Sequence, residues 1–227
     1  VVSENLAKVV ERIASACQKA GRDPAEVKVV AVTKTHPPDV IRQAIEAGIN
    51  NIGENRVQEA ETKYHEIDAD VTWHLVGHLQ RNKVRKALTM FSMIHSLDSR
   101  RLAREIEKES AKLDKITPCL IEVNTSGEVS KFGVEPDGLA ELVTEVLKAE
   151  HIKLVGLMTI GPLTEDQDRI RRSFTLLREL RDRVENIFGC YLPHLSMGMS
   201  DDFEIAVQQG STMVRLGRVL FGPRQST

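Results

Sequence analysis

The chain has 227 residues, 41% of them hydrophobic and 28% charged, and 31 basic against 33 acidic side chains leave a net charge of −2. That balance excludes an intrinsically disordered chain and argues against nucleic acid as a partner, because phosphate-backbone binders carry a basic excess. No apolar run approaches the roughly 18 residues needed to span a bilayer, so no membrane partner is expected. Cys17, Cys119 and Cys190 are odd in number, far apart and outside any CxxC spacing. They form neither a disulfide framework nor a zinc site, which points to a reducing, cytoplasmic setting and to no bound metal.

Residues 1–21 read as an amphipathic helix with Leu6, Val9, Val10, Ile13 and Cys17 on one side, stopped at Gly21. From there short apolar runs alternate with helical periods. Strands are expected at 27–34, 50–55, 72–77, 92–98, 117–124, 152–160, 191–197 and 212–217. Pro37 and Pro38 open the helix after the first strand, and a basic stretch, 79–88, follows the third. The longest helix runs to Gly189, its start marked by a capping box of Thr164 with Gln167 and its apolar stripe by Ile170, Phe174, Leu177, Leu180, Val184 and Ile187.

Eight strands separated by helices, with no hairpin signal, require parallel pairing through crossovers. That number in this length predicts a single (β/α)8 TIM barrel with an extra N-terminal helix, one domain over 1–227. A doubly wound open sheet would want fewer strands or more residues.

In such a barrel the chemistry sits just after the strands, at the C-terminal face. Lys34 ends the first strand on the face of Val30 and Val32. A lysine rooted in an apolar strand end favours the neutral amine that condenses with an aldehyde, although a snorkelling strand-end lysine is the commoner case. Ser196, Gly198 and Ser200 in SMGMSDD precede a helix expected to begin near Asp201. Hydroxyls, glycine and backbone N–H groups there can hold an anion, or Ser200 or Asp201 can simply cap the helix. On the last strand, Val214 and Leu216 should face the outer helices, which aims Arg215 into the barrel. It needs an acceptor there, either a ligand or an ion pair with Glu122. Together the three features match pyridoxal phosphate, which offers an aldehyde, a phosphate and a ring nitrogen; an arginine at that nitrogen makes a weaker electron sink than an aspartate.

The blocks VAVTK (30–34), GENRVQE (53–59), WHLVGHLQRNK (73–83), SGEVSKFG (126–133), GLMTIGP (156–162), LSMGMSDDFEIAVQQGSTMVRLG (195–217) and LFG (220–222) resemble the pyridoxal phosphate homeostasis protein family. Its members are single-domain relatives of the N-terminal barrel of alanine racemase, and the similarity covers essentially the whole chain. The resemblance implies that Lys34 carries pyridoxal 5'-phosphate as an aldimine. It further implies that Ser196, Met197, Gly198 and Ser200, with Gly217 and Arg218, hold the phosphate, and that Arg215 meets the ring nitrogen. Asn55, His78 and Met158 would line the pocket. Arg218 stands where that family often carries a small hydroxyl residue. Lys131 offers a second amine for transient cofactor, or is simply a solvated loop lysine, which is the better reading of its setting.

The implied function is a non-catalytic one, holding and releasing cofactor in vitamin B6 homeostasis and amino- and keto-acid balance, with pyridoxal-phosphate apoenzymes as acceptors. The alternative is an amino-acid racemase, which needs a second acid–base group opposite the lysine; Tyr64 and Tyr191 are expected away from the mouth. A third reading is an aldolase-like barrel acting on a phosphorylated metabolite through Lys34. No apolar helix face is obviously spare, so a monomer is expected. His74 and His78 are four apart but lie on a strand and its loop, not on a metal-binding helix.

Overall fold

In the computed structural model, which describes residues 1–223, eight parallel strands close in sequence order into a barrel. They are β1 (Lys28–Val32), β2 (Asn51–Glu54), β3 (Thr72–Leu75), β4 (Met93–Leu97), β5 (Thr117–Glu122), β6 (Ile152–Met158), β7 (His194–Ser196) and β8 (Met213–Leu216). The helices are α1 (Val2–Ala20), α2 (Pro38–Glu46), α3 (Val57–Tyr64), α4 (Val84–Leu88), α5 (Arg100–Lys112), α6 (Leu139–Val146), α7 (Gln167–Phe188), α8 (Phe203–Gln208) and α9 (Arg218–Phe221). Every expected strand is present, each trimmed at one end or both. Residues 224–227, the tail of the expected domain, lie outside the described residues. Among those described, no helix is long and apolar enough to cross a membrane.

Two apolar layers arise from strand alternation. Ala31, Ile52, Leu75, Ile121, Val214 and Leu216 join the shell packed by the helices, with Ile41, Ile106 and Phe174 from α2, α5 and α7. The opposite faces fill the barrel with Val30, Val32, Val76 and Met213 in one cluster and Leu120, Val155 and Met158 in another. Arg215, between Val214 and Leu216, is therefore buried inside the barrel, as the alternation predicts.

Helix α1 covers the seam where β8 meets β1 by packing against α8 and α9. Asn5 Nδ2 donates to Leu220 O at 2.9 Å, Arg12 pairs with Glu204 at 2.8 Å, and Gly21 ends the helix with φ 65°. Val10 departs from expectation: the 100° step from buried Val9 turns it to solvent, 53% exposed. Ile187 on α7 is likewise exposed, one step beyond the stripe that Val184 ends. The α7 start also differs from the expected capping box. Asp166 is the cap, its Oδ1 accepting from Asp168 N and Arg169 N at 3.0 and 3.1 Å, while Thr164 Oγ1 accepts from Asp166 N one turn earlier. Aspartate at the cap satisfies two first-turn donors, which leaves nothing for a Thr–Gln box to do.

Candidate functional site at the barrel mouth

Lys34 lies two residues beyond β1 and is half-buried. The chain on either side of it is held by one polar cluster built from the GENRVQE block and α3. Thr33 N donates to Gly53 O at 3.0 Å, extending the sheet by a residue. Thr33 Oγ1 donates to Glu54 Oε1 at 2.6 Å, and Lys63 Nζ donates to Thr33 O and to Glu54 Oε1, both at 2.8 Å. Lys63 also reaches Glu59 Oε1 at 2.7 Å, and that same oxygen accepts the N–H of Thr35. Thr35 sits at φ 68°, a left-handed conformation a β-branched residue avoids. Burial raises the Glu54 carboxyl, with Lys63 and Thr33 opposing. At Glu59 burial acts the same way but is outweighed by Lys63 and the Thr35 N–H, so its carboxyl falls below the usual range.

Beneath the mouth, the Arg215 guanidinium donates from Nη1 to Ser196 Oγ at 2.7 Å and from Nη2 to Thr159 O at 2.8 Å. Burial lowers its pKa to about 10, with Glu122 and Asp202 opposing, so it stays cationic at neutral pH. Among the described residues, Arg215 and Glu122 do not form an ion pair within 4.0 Å, so the structural pair left open by the sequence is not formed, and Arg215 uses these two oxygen acceptors. Burial, then Asp98, pushes the Glu122 carboxyl up to about 7, and Arg215 only partly offsets this.

The residues expected to hold an anion separate into two groups. Ser196 is fully buried, and its hydroxyl lies 2.9 Å from His95 Nδ1 as well as against Arg215. Met197 packs into the helix-facing core while its N–H donates to Met213 O at 3.1 Å. Neither presents a donor at the mouth, because strand alternation sends one side chain inward and the next outward. Gly198, Ser200, Gly217 and Arg218 do come together. Gly198 has φ 97°, and a Cβ there would lie 2.6 Å from that of Ala206, so the turn into α8 needs glycine. Ser200 Oγ accepts from Val219 N at 3.3 Å, tying this turn to the start of α9. Arg218 pairs with Asp201 at the rim. The helix after the turn begins at Phe203 instead of Asp201, because Asp202 folds back to accept Met199 N at 2.5 Å.

Asn55 follows β2, half-buried, and its carbonyl passes so close to Gly77 that a Cβ there would lie 2.3 Å from Asn55 O. Met158 is buried inside the barrel beside Leu120 and Val155. His78 stacks on Phe132 with ring centroids 4.0 Å apart and contacts Asp98 at 3.2 Å. Lys131 is not the solvated loop lysine that its sequence setting favours. Its Nζ donates to Gly161 O at 2.6 Å and meets Glu128 at 3.3 Å, so the loop after β5 is tethered to the loops after β3 and β6. Tyr64 packs edge-on against Trp73 with centroids 5.4 Å apart, and exposed Tyr191 precedes β7 at the far end of the barrel.

Sequence reasoning missed His95 and Lys63. The alternation of SMIHSLD already put His95 opposite core-facing Ile94; Lys63 gave no signal, since its acceptor Thr33 O lies 30 residues away in the chain and meets it only in the fold. No group of three or more His, Cys, Asp or Glu able to hold a metal occurs among the described residues.

The profile of the alanine racemase N-terminal domain matches residues 5–225. A pyridoxal phosphate homeostasis protein of Aquifex aeolicus is 47% identical over 98% of both chains, and one of Pseudomonas aeruginosa is 42% identical over 98% of this chain and 96% of its own. Among solved structures, PipY of Synechococcus elongatus, determined with PLP bound, superposes with a TM-score of 0.86 at 33% identity, covering 98% of this chain and 100% of PipY. An alanine racemase of Clostridium difficile, 13% identical, shares the fold with a TM-score of 0.76 over 96% of this chain and 60% of its own.

Proposed function

Since the chain belongs to the pyridoxal phosphate homeostasis protein family, we propose that it binds pyridoxal 5'-phosphate at the barrel mouth, anchors it covalently on Lys34, and holds and hands on the cofactor without turning over an amino acid. The observation that carries this reading is the pairing of β1 with β8, in which Val30 lies opposite Arg215. It puts Arg215, a buried guanidinium that is cationic at neutral pH, on the strand beside the one whose end leads to Lys34.

The donor set fits the group. Pyridoxal phosphate supplies an aldehyde for a lysine amine, a ring nitrogen that accepts from a guanidinium, and a phosphate. Lys34 would take the aldehyde carbon. Arg215 would donate to the ring nitrogen, and at a pKa of about 10 it does not surrender its proton to it. Gly198, Ser200, Gly217 and Arg218 would hold the phosphate through backbone N–H, hydroxyl and guanidinium groups. Met158, Asn55 and His78 would border the ring. Ser196 and Met197 would contribute from behind, as supports of Arg215 and of the turn. The clamp on Thr33 and Thr35 fixes the backbone from which Lys34 extends, and pyridoxal-phosphate apoenzymes are the receivers.

Absorbance of the purified protein tests this. Added pyridoxal phosphate should give a visible band that borohydride bleaches, with the cofactor mass on the peptide containing Lys34 and no band in Lys34→Ala. A wild-type chain that shows no band, or a reduced adduct on Lys131 alone, sinks the proposal.

One observation favours a racemase instead. Glu122 lies on the fifth strand of eight, across the barrel from Lys34, and its carboxyl at about 7 can carry a proton at neutral pH. Exchange of the amino-acid Cα hydrogen in D2O, lost in Glu122→Gln, would establish that reading; no exchange would leave the handling role.

A further inference from the structure

Five polar side chains from five strands form one line through the barrel. Arg215 Nη1 donates to Ser196 Oγ at 2.7 Å, and Ser196 Oγ lies 2.9 Å from His95 Nδ1. His95 Nε2 lies 2.9 Å from His74 Nδ1, and His74 Nε2 lies 3.0 Å from Asn51 Oδ1. Burial leaves both imidazoles neutral, holding His74 at about 4 and His95 well below its ordinary value. Each ring therefore has one N–H and one acceptor nitrogen.

The direction of the line follows from its two ends. Arg215 can only donate, so it uses a lone pair of Ser196. The Ser196 hydroxyl hydrogen then needs an acceptor, and among the described residues His95 Nδ1 is the one within reach. His95 must carry its hydrogen on Nε2 and give it to His74 Nδ1, and His74 gives its own to Asn51 Oδ1. Asn51 is turned the right way, because its Nδ2 donates to Asn50 Oδ1 at 2.6 Å. The opposite sense would strand the serine hydrogen in a fully buried place, at a cost of about 1–3 kcal/mol. The line is not a proton wire, since an amide oxygen ends it.

We propose that His95 is a positioning residue for the cofactor site: by taking the Ser196 hydroxyl hydrogen it fixes the serine lone pair on Arg215 and so aims the guanidinium. The proposal rests on the reading that Arg215 faces the cofactor, and it assigns Ser196 to the arginine and not to the phosphate. His74 and Asn51 hold His95 in its tautomer from the closed end of the barrel.

Nitrogen NMR on the cofactor-free chain tests the positioning by itself. Both rings should be neutral with the hydrogen on Nε2 at pH 5 to 8, and the Arg215 Nη–H signals should be separately resolved. Ser196→Ala and His95→Leu should merge those signals, and His95→Asn, whose side-chain oxygen can replace Nδ1, should restore them. A hydrogen on His95 Nδ1, or unchanged Arg215 signals in folded His95→Leu or Ser196→Ala, overturns the proposal. If His95→Leu does not fold, the wild-type tautomers and Ser196→Ala decide.

Titration with pyridoxal phosphate supplies the second readout. His95→Leu should bind roughly tenfold more weakly with a shifted visible band, the loss expected for one hydrogen bond to a charged group, and His95→Asn should recover most of it. Wild-type affinity and spectrum in folded His95→Leu also overturn the proposal. A wild-type chain with the expected NMR pattern but no cofactor uptake removes the function proposed above and leaves the positioning of Arg215 standing.

Discussion

Lys63 Nζ lies 2.8 Å from the carbonyl oxygen of Thr33, the residue immediately before Lys34. An ammonium on α3 thus holds the end of β1, and it does so while bridging Glu54 and Glu59. Replacing it removes the counter-charge of a carboxyl that is 0% exposed.

Lys63→Met is accordingly expected to destabilise the fold by about 3–5 kcal/mol, the cost of leaving a buried carboxylate unpaired. The double variant Glu54→Gln/Lys63→Met should recover a large part of the loss, since no charge is then stranded. Urea denaturation of both, with the m-value as control for the unfolded state, checks this.

Glu122 makes stability depend on pH. Its folded pKa of about 7 lies above the ordinary carboxylate value, so between the two the folded chain holds a proton that the unfolded chain has lost. Stability from this group is full at low pH and falls as pH rises through about 7, by up to about 3 kcal/mol. Glu122→Gln should therefore gain stability relative to wild type from pH 5 to pH 8, measured as the difference between their denaturation midpoints at each pH. A difference that is flat with pH contradicts the assignment.

His74 acts in the opposite direction. Burial first, then the charges of Lys28 and His194, lowers it to about 4, so on acidification the unfolded chain binds a proton that the folded chain refuses. The wild type should lose stability as pH falls from about 6.5 towards 4, at up to about 1.4 kcal/mol per pH unit for this residue. His74→Asn should make that limb shallower, with His95 still contributing to it, as thermal melts between pH 4.5 and 7 would show.

Gly198→Ala meets two obstacles, φ 97° and a Cβ placed 2.6 Å from that of Ala206. A cost of about 1–3 kcal/mol is expected, together with weaker cofactor binding, because the turn that would hold the phosphate must shift. Calorimetry for the first effect and absorbance titration for the second separate packing from binding.

Much of this was legible in the chain itself. The β/α rhythm and a strand count that predicts a barrel were readable along the chain, and the inward aim of Arg215 follows from alternation along a single strand, a property of the local backbone that needs no partner. Lys34 could be placed at the mouth on the same grounds. What each polar group touches could not be read this way. Ser196 looks like a phosphate ligand in SMGMSDD, and only the fold shows that its hydroxyl lies 2.9 Å from Nδ1 of His95, 101 residues earlier in the chain, and accepts from Arg215. Lys131 looks like a solvated loop lysine until Gly161, 30 residues on, supplies its acceptor. The sequence determined which way the side chains point because pleat and parity are local. Only barrel closure decided which donors meet which acceptors, since it brings β4 to β7 and the loop after β5 to the loop after β6.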